Sequence, residues 1–232
     1  MSAKALAIRW KGNVMSSLNT MQLIGETFIA LTESTPPEKI SISDIVSASG
    51  KNRKTFYYHF ADKNALVAWI FRRDLGTVLT NRFEESLLVY EPERSKDGAS
   101  SYPFYLFAKR GVRSLDHAAF FEAFADCIES RRRFYAKVLR DTTPDGLREY
   151  LHRLYVPALR DDVRFILSNR YLKEENVTFL AEFYTGAFLS YFFRRTLEPP
   201  SRPLRADIGP FANIVHTSLE NVIKEQQLSR IL

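Results

Sequence analysis

The chain has 232 residues, of which 45% are apolar, and it carries a formal net charge of +6. This length allows one large or two modest domains with a packed core. The single Cys127 cannot form an internal disulfide, and no apolar run reaches the ~20 residues that span a bilayer. Residues 5–8 are too short for a signal core, since Arg9 and Lys11 follow. These features predict a cytoplasmic protein without a membrane partner.

Residues 1–18 show little pattern, and Lys4, Arg9 and Lys11 there indicate either a flexible basic arm for a polyanion or a disordered tail. A first helix is predicted from about Thr20 to the residues before Pro36, which cannot continue a helix interior. Its apolar residues share one face, namely Met21, Ile24, Phe28 and Leu31.

Residues 41–60 have the pattern of two short helices joined by a tight turn. Ser41 and Asp44 are spaced as a capping box for the first of them. Gly50 suits the left-handed residue that ends a helix, and Asn52 can cap the next one. The first helix places its apolar residues on one face: Ile42, Ile45 and Val46. The pattern is typical of a helix-turn-helix motif.

The second helix of this motif, predicted from Arg53 to Phe60, mixes basic, hydroxyl and aromatic residues. Phe56 and Phe60 are four residues apart and can pack on the first helix. Arg and Lys suit phosphate oxygens and the acceptor edge of guanine, and hydroxyl or imidazole groups can donate to phosphates. We therefore predict DNA contacts from Lys51, Asn52, Arg53, Lys54, Thr55, Tyr57, Tyr58, His59 and Lys63. The alternative is a solvated charged helix with ordinary packing aromatics.

The string Thr-Phe-Tyr-x-His-Phe-x-x-Lys-x-x-Leu begins at Thr55. It resembles the DNA-binding domain of the tetracycline-repressor family of bacterial transcription regulators, most closely the subgroup that contains the dihydroxyacetone-kinase operon activator. The resemblance covers residues 20–75. It implies that some side chains face the major groove, namely Arg53, Lys54 and Tyr57. It implies that others hold or adjoin the DNA backbone, namely Thr55, Tyr58, His59 and Lys63.

Two positions depart from the usual pattern of this family. Lys51 stands where a buried Val or Ile is common, and Val46 stands where a small Ala is common. Lys51 can extend out of the helix interface and add a phosphate contact. Alternatively, the angle between the two helices differs from that of the family.

The uneven charge agrees with a polyanionic partner for the amino-terminal third of the chain. Residues 1–80 contain ten Lys or Arg and six Asp or Glu, whereas residues 81–232 contain 23 and 21. We assign residues 18–76 to a three-helix helix-turn-helix head. Residues 77–232 are assigned to a larger helical domain for effector sensing and dimerisation.

The remaining elements are predicted to be helical, which makes the chain all-α. Asp62 can cap a helix that runs from Lys63 to about Leu88, and residues 91–103 form a loop rich in helix breakers. Further helices are predicted at 103–114, 117–139, 145–168, 174–196 and 206–229. Pro157 should kink or divide the third of these.

The aromatic residues of the larger domain allow two interpretations. Most must simply pack its core. The sharper hypothesis is a cavity for a small apolar effector, for which we name Phe120, Phe124, Tyr155 and Phe165. Members of the family often bind inducers in this domain, although some use a partner protein instead. The sequence does not select the ligand.

The last two helices are the expected homodimer interface, because the family pairs two carboxy-terminal helices from each subunit. One helix carries small and aromatic residues, namely Phe183, Gly186, Ala187, Ser190 and Tyr191. The final helix has an apolar stripe, namely Ile208, Phe211, Ile214, Val215, Leu219, Val222 and Ile223. The alternative is that this stripe packs on its own core. A two-fold dimer would place two heads about 34 Å apart on a palindrome-like operator.

No pattern of catalytic or metal-binding residues stands out, so we expect no enzyme, no metal and no cofactor. The four His residues are scattered, and no phosphate-binding or nucleophile motif is present. The run Arg131–Arg133 is interpreted as a solvated face that could also serve a partner or DNA backbone. The competing function is a helical protein-interaction co-regulator whose DNA-binding head has degenerated, with Lys51 and Val46 as signs of decay.

Overall fold

The computed structural model describes residues 3–92, 99–168 and 171–209 together with positions 213, 217–218, 221–223 and 225, with side chains from residue 17 onward. The helices are α1 Ala3–Ser34, α2 Ile42–Ala48, α3 Arg53–His59, α4 Lys63–Arg82, α5 His117–Ser130, α6 Arg132–Val138, α7 Leu147–Leu167 and α8 Glu174–Leu197. The strands are β1 Leu88–Val89, β2 Tyr105–Leu106, β3 Lys109–Gly111 and β4 Ser114–Leu115. The predicted all-α class is confirmed, since these strands form only two short pairs.

Helices α1 to α3 and the first turns of α4 pack around a shared apolar centre and form the head. The predicted inner face of α1 is confirmed at Met21, Ile24 and Phe28, which are buried. A ring contact ties the end of α3 to α4, because Phe60 lies 5.7 Å from Trp69, and Phe60 also packs on Phe56 of α3 at 5.6 Å. The prediction that α1 begins near Thr20 was wrong, since its helical backbone starts at Ala3. The spacing of apolar residues predicted only the part of α1 whose side chains are buried in the core.

Helix α4 connects the head to the larger domain, which we call the body. The predicted cap is confirmed, since the Asp62 side chain accepts a hydrogen bond from the Ala65 backbone at 2.8 Å. The predicted end near Leu88 was wrong, because α4 stops at Arg82 and Phe83 is already extended. Leu88 instead belongs to β1, which pairs antiparallel with β2.

The helix predicted at 103–114 is also wrong, because two strand pairs occupy this part of the chain. Leu88 pairs with Leu106 in one of them, and Lys109 pairs with Leu115 in the other. An apolar run as short as residues 104–107 does not distinguish a buried strand from a helix. Strand β2 forms its backbone hydrogen bonds with β1, which lies outside any short sequence window around residues 104–107.

The body is built mainly from α5 to α8. The helix predicted at 117–139 is two helices, α5 and α6, which meet at Arg131. Helix α7 is not divided at Pro157, which lies on its exposed side. The largest apolar cluster runs without interruption from Met21 in α1 to Ile208, so head and body share one core. No helix among the described residues is both long and apolar enough to cross a membrane.

An ion-pair network joins α1 and α4 to the junction of α5 and α6. Arg131 donates to both carboxylate oxygens of Glu26 at 2.8 Å, and Arg73 lies 2.9 Å from the same carboxylate. The Tyr135 hydroxyl donates to Asp74 at 2.8 Å. Bidentate guanidinium–carboxylate pairs fix orientation as well as distance. The network therefore holds the head at a defined angle to the body.

The solvated-face interpretation of the Arg131–Arg133 run was thus wrong for most of it. Arg132 donates to the backbone oxygen of Arg195 at 2.7 Å and so covers the carboxyl end of α8. Arg133 is the exposed member of the run. Two of the three guanidinium groups therefore connect elements inside the chain.

Candidate nucleic-acid interface

The turn between α2 and α3 is fixed by hydrogen bonds at both of its ends. Ser41 and Asp44 form the predicted capping box, in which the Asp44 backbone donates to Ser41 at 3.2 Å and the Ser41 backbone donates to Asp44 at 2.8 Å. The hydrogen bonds from Ser41 hold the pKa of the Asp44 carboxyl below its ordinary value. The start of α2 is therefore set by groups within the motif itself.

Helix α2 ends in a Schellman motif with Gly50 in the left-handed region at φ 63°. The Lys51 backbone donates to Val46 at 2.9 Å, and the Gly50 backbone donates to Ser47 at 3.3 Å. Asn52 then caps α3 by accepting from the Thr55 backbone at 2.8 Å, as predicted. The two residues that depart from the family pattern, Lys51 and Val46, are thus partners in a regular turn.

Helix α3 has a buried side and an exposed side. Phe56 and Phe60 face inward and are buried. Tyr57 and Tyr58 face outward, with 50% and 75% of their surfaces exposed. The other exposed side chains at this end of the motif are Asn52, Arg53 and Lys54, with Lys51 and Thr55 half-buried beside them. Seven of the nine proposed contact residues therefore lie at or beside the exposed surface.

His59 lies on the inner side of α3 and corrects the predicted contact set. Only 7% of its surface is exposed, and its ring Nδ1 is 3.5 Å from the Ser17 hydroxyl of α1. Burial lowers the pKa of its imidazole, which disfavours the charged form that would bind a phosphate. His59 therefore packs α3 against α1, and we withdraw it from the proposed contacts.

Lys63 is likewise occupied within the chain. Its Nζ donates to the backbone oxygens of Pro37 at 2.6 Å and Ile40 at 2.9 Å. Burial lowers the pKa of this half-buried ammonium, while the charges of Glu38 and Asp141 oppose the shift. Lys63 therefore positions the connection between α1 and α2 against α4, and a phosphate contact is not its main role.

Within the described part of the chain, the four residues proposed for an effector cavity fall into two separate groups. Phe120, Phe124 and Tyr155 are buried with ring centroids 5.4 to 6.2 Å apart, which is direct contact. Phe165 lies elsewhere, with its ring 5.1 Å from Phe107. The rings of the first three fill the core, so core packing is the correct interpretation of this set.

Helix α8 presents an exposed stripe that contains part of the predicted dimer surface. Phe179 and Phe183 stack at 5.9 Å, and both are more than half exposed. The same side of α8 continues through Gly186, Ala187 and Ser190, which are exposed or half-buried. Exposed apolar stripes are common at protein–protein contact surfaces.

The final predicted stripe is described only in part. Ile208, Val222 and Ile223 lie in the described residues, and Ile223 is fully buried against α7 and α8. Val222 packs against the same cluster. These residues therefore contact their own chain, as the alternative proposed. Phe211, Ile214, Val215 and Leu219 lie outside the described residues.

An exposed helix held by a capped turn, on a mainly helical body, defines a helix-turn-helix protein. Residues 30–70 match the model for bacterial regulatory proteins of the tetR family, and residues 117–194 match a transcriptional regulator C-terminal region. Both matched segments are similar to the tetR family of bacterial regulatory proteins, which confirms the resemblance.

The chain is similar to the HTH-type dhaKLM operon transcriptional activator DhaS of Lactococcus lactis subsp. lactis (strain IL1403), with 32% identity over 69 residues. The matched segment spans 30% of this chain and 37% of that relative. The solved structure of a dihydroxyacetone kinase operon activator DhaS superposes with a TM-score of 0.52 at 14% identity, over 87% of this chain and 96% of that one. A gamma-butyrolactone receptor (ArpA-like protein) gives 0.38 at 16% identity, over 88% and 99%.

Proposed function

We propose that the chain is a DNA-binding transcription regulator that inserts α3 into the major groove. One observation carries the proposal: Arg53, Lys54, Tyr57 and Tyr58 share the exposed side of a helix whose other side is anchored by Phe56 and Phe60. Cationic and hydroxyl groups on an exposed helix match phosphates and base edges. A regulator of this kind would act in the cytoplasm, where the chromosome is.

The proposed contacts divide into two groups. Arg53 and Lys54 stand in the first turn of α3, and the amino-terminal residues of a recognition helix contact base edges. Tyr57 would face the major groove beside them. Lys51, Asn52, Thr55 and Tyr58 would hold phosphates and fix the register. The regular turn at Val46 and Lys51 supports a working head over a degenerate one.

We further propose a homodimer that pairs α8 of each subunit. The stacked Phe179 and Phe183 would meet the same stripe of the partner around a two-fold axis. The small residues Gly186, Ala187 and Ser190 allow close approach of the two helices. Two heads would then read half-sites about 34 Å apart.

The body would couple the binding of a signal molecule or partner to the distance between the two heads. A small molecule or a protein partner that binds one arrangement of the heads better than another shifts DNA affinity by that difference. The network of Glu26, Arg73 and Arg131 supports such coupling, because it ties α1 and α4 to α5 and α6. Both repression and activation are compatible with this arrangement.

Salt-dependent binding to a labelled duplex tests the proposal. Fluorescence anisotropy should show affinity that falls steeply with salt, since phosphate contacts release counterions. Lys51→Ala, which removes a proposed phosphate contact, should flatten the slope of log affinity against log salt by about one. Arg133→Ala, which removes an exposed charge from α6, is the control and should leave it unchanged. Folded protein that binds no duplex at low salt would favour the protein-interaction alternative.

A further inference from the structure

A groove of about 690 Å³ lies between the amino-terminal half of α7 and the carboxy-terminal half of α8. Apolar side chains of α8 line one side of it, namely Leu189, Phe193 and Leu197. His152 stands on the α7 side, together with polar residues at the rim. The volume lies within the range of sites that hold drug-sized molecules, so two aromatic side chains fit in it.

The exposed aromatic pair of α8 lies on the same face of the helix as this groove. Phe179 and Phe183 belong to the amino-terminal half of α8, and both project from the surface. An α-helix turns by about 100° per residue, so Ser190 falls about 20° from Phe183 and Leu197 falls in line with Phe179. Both Ser190 and Leu197 line the groove. One stripe therefore carries projecting rings at one end and a groove at the other.

Gly186 stands between the two ends of this stripe. A glycine inside a helix costs about 1 kcal/mol relative to alanine. At two other helical glycines a neighbour explains the choice, since an added Cβ would lie 3.1 Å from Trp69 at Gly25 and 2.7 Å from Tyr102 at Gly76. At Gly186 an added Cβ would meet no described atom within 4 Å. The space left open there fits the close approach of a helix from a second molecule.

We propose that two copies of α8 pair antiparallel at Gly186 and Ala187, so that the aromatic pair of each subunit enters the groove of the other. A two-fold contact is reciprocal, and an axis at this point sets Phe183 opposite Ser190 of the partner subunit. Phe179 follows one turn further along the same groove. Parallel copies would instead bring like rings together and leave both grooves empty.

This register rests on the proposed homodimer and adds α7 to its interface. Burial of Phe179 and Phe183 removes exposed apolar surface from water, which favours association. Aromatic side chains that fill a pocket of the partner dominate the energy of many interfaces. His152 of α7 would then lie beside a ring of the second subunit.

Disulfide cross-linking of cysteine variants measures the register. Gly186→Cys should form a covalent dimer alone, because facing α-carbons near the axis come within the ~7 Å that a disulfide allows. Phe183→Cys and Ser190→Cys should each fail alone, since a rise of about 1.5 Å per residue sets two like copies about 10 Å apart along the helices. The double variant should link. Cys127 is buried and stays in place.

Glu175→Cys is the control for random collision, because it is exposed on the same helix. Its two copies would lie about 34 Å apart along the helices, so it should stay unlinked. Non-reducing electrophoresis after mild oxidation compares all the variants. Self-linking of Phe183→Cys faster than that of Gly186→Cys would place the axis at Phe183 and overturn the register. Linking of Glu175→Cys at the rate of Gly186→Cys would also overturn it.

Two further variants test whether the groove is occupied. His152→Trp fills it from the α7 side, and Gly186→Leu separates the two backbones. Each should weaken the dimer at least about tenfold, because added volume in a packed interface is not accommodated. Arg153→Trp, at the next and exposed position of α7, is the matched control and should not change the dimer. Sedimentation equilibrium measures the dissociation constant, and an unchanged value for a folded His152→Trp variant would overturn the groove as the contact.

These outcomes separate the register from the proposed function. Wild-type protein that sediments as a monomer would overturn the proposed homodimer together with this register. A wild-type dimer whose variants link at Phe183 instead of Gly186 would overturn the register alone. Absence of DNA binding by a wild-type dimer would contradict only the proposed regulator.

Discussion

Arg53 stands at the start of the exposed side of α3, where we propose that it reads a base. Arg53→Ala should cost about 1–3 kcal/mol on a preferred operator and relax the preference at one position, as expected for loss of a bidentate guanine contact. Anisotropy with a preferred duplex and its single-base variants measures both effects. An equal loss on every duplex would make Arg53 a phosphate contact.

Lys63 separates a positioning role from a DNA contact. Lys63→Met leaves the backbone oxygens of Pro37 and Ile40 without their donor, so we expect a loss of about 1–3 kcal/mol in the free energy of unfolding. Urea denaturation measures this loss. The salt slope of DNA binding should stay within experimental error of wild type. A stable variant whose slope falls by about one would return Lys63 to the phosphate contacts.

At the scale of single residues, the sequence predicted the capping residues better than it predicted the direction in which each side chain points. Asn52 and Asp62 act as predicted, because a cap depends only on neighbours three residues away. His59 turns inward to Ser17, and Lys63 reaches Pro37. These partners lie 42 and 26 residues away in the chain. Local pattern does not contain such distant contacts.

The turn between α2 and α3 is the element on which the orientation of α3 depends. An added Cβ at Gly50 would meet no atom within 4 Å. Only the left-handed backbone conformation of Gly50, with a φ of 63°, therefore disfavours a larger residue at this position. Gly50→Ala should therefore lower stability by about 1–2 kcal/mol. Gly50→Asn should cost less, since Asn tolerates the left-handed region. Thermal denaturation compares the two, and equal losses would contradict an explanation by φ alone.

Among the elements, those defined by local signals were predictable and those defined by pairing were not. The capping box and Gly50 specify α2 and its end within ten residues. Strands β1 and β2 depend on Leu88 meeting Leu106, which no short window reveals. Helix α4 ends before its predicted terminus near Leu88, because Leu88 belongs to the strand that pairs with Leu106.

At the scale of the molecule, the proposed dimer depends on the exposed stripe of α8. Phe183→Glu should give monomers, because it places a charge where 56% of an aromatic side chain is available to a partner. Sedimentation equilibrium measures the mass. Val112→Glu is the matched control, since Val112 is an exposed apolar residue at another site. An unchanged dimer mass for Phe183→Glu would remove this stripe from the interface.

The shared core and the ion-pair network make head and body one mechanical unit. The apolar cluster runs through both, and Arg131 holds Glu26 of α1 from the start of α6. A change in the body can therefore reach α3 through α1 and α4 without a flexible linker. The resulting shift in DNA affinity is limited to the difference between the ligand's binding free energies for the two arrangements of the heads.

Selection of bound duplexes from a genomic DNA pool at about 150 mM salt, a concentration at which non-specific binding is weak, tests the central claim most directly. We predict enrichment of a palindromic motif whose half-sites lie about one helical turn apart. Arg53→Ala protein should enrich a less defined motif. Folded wild-type protein that enriches no sequence would contradict the account of this chain as a sequence-specific regulator.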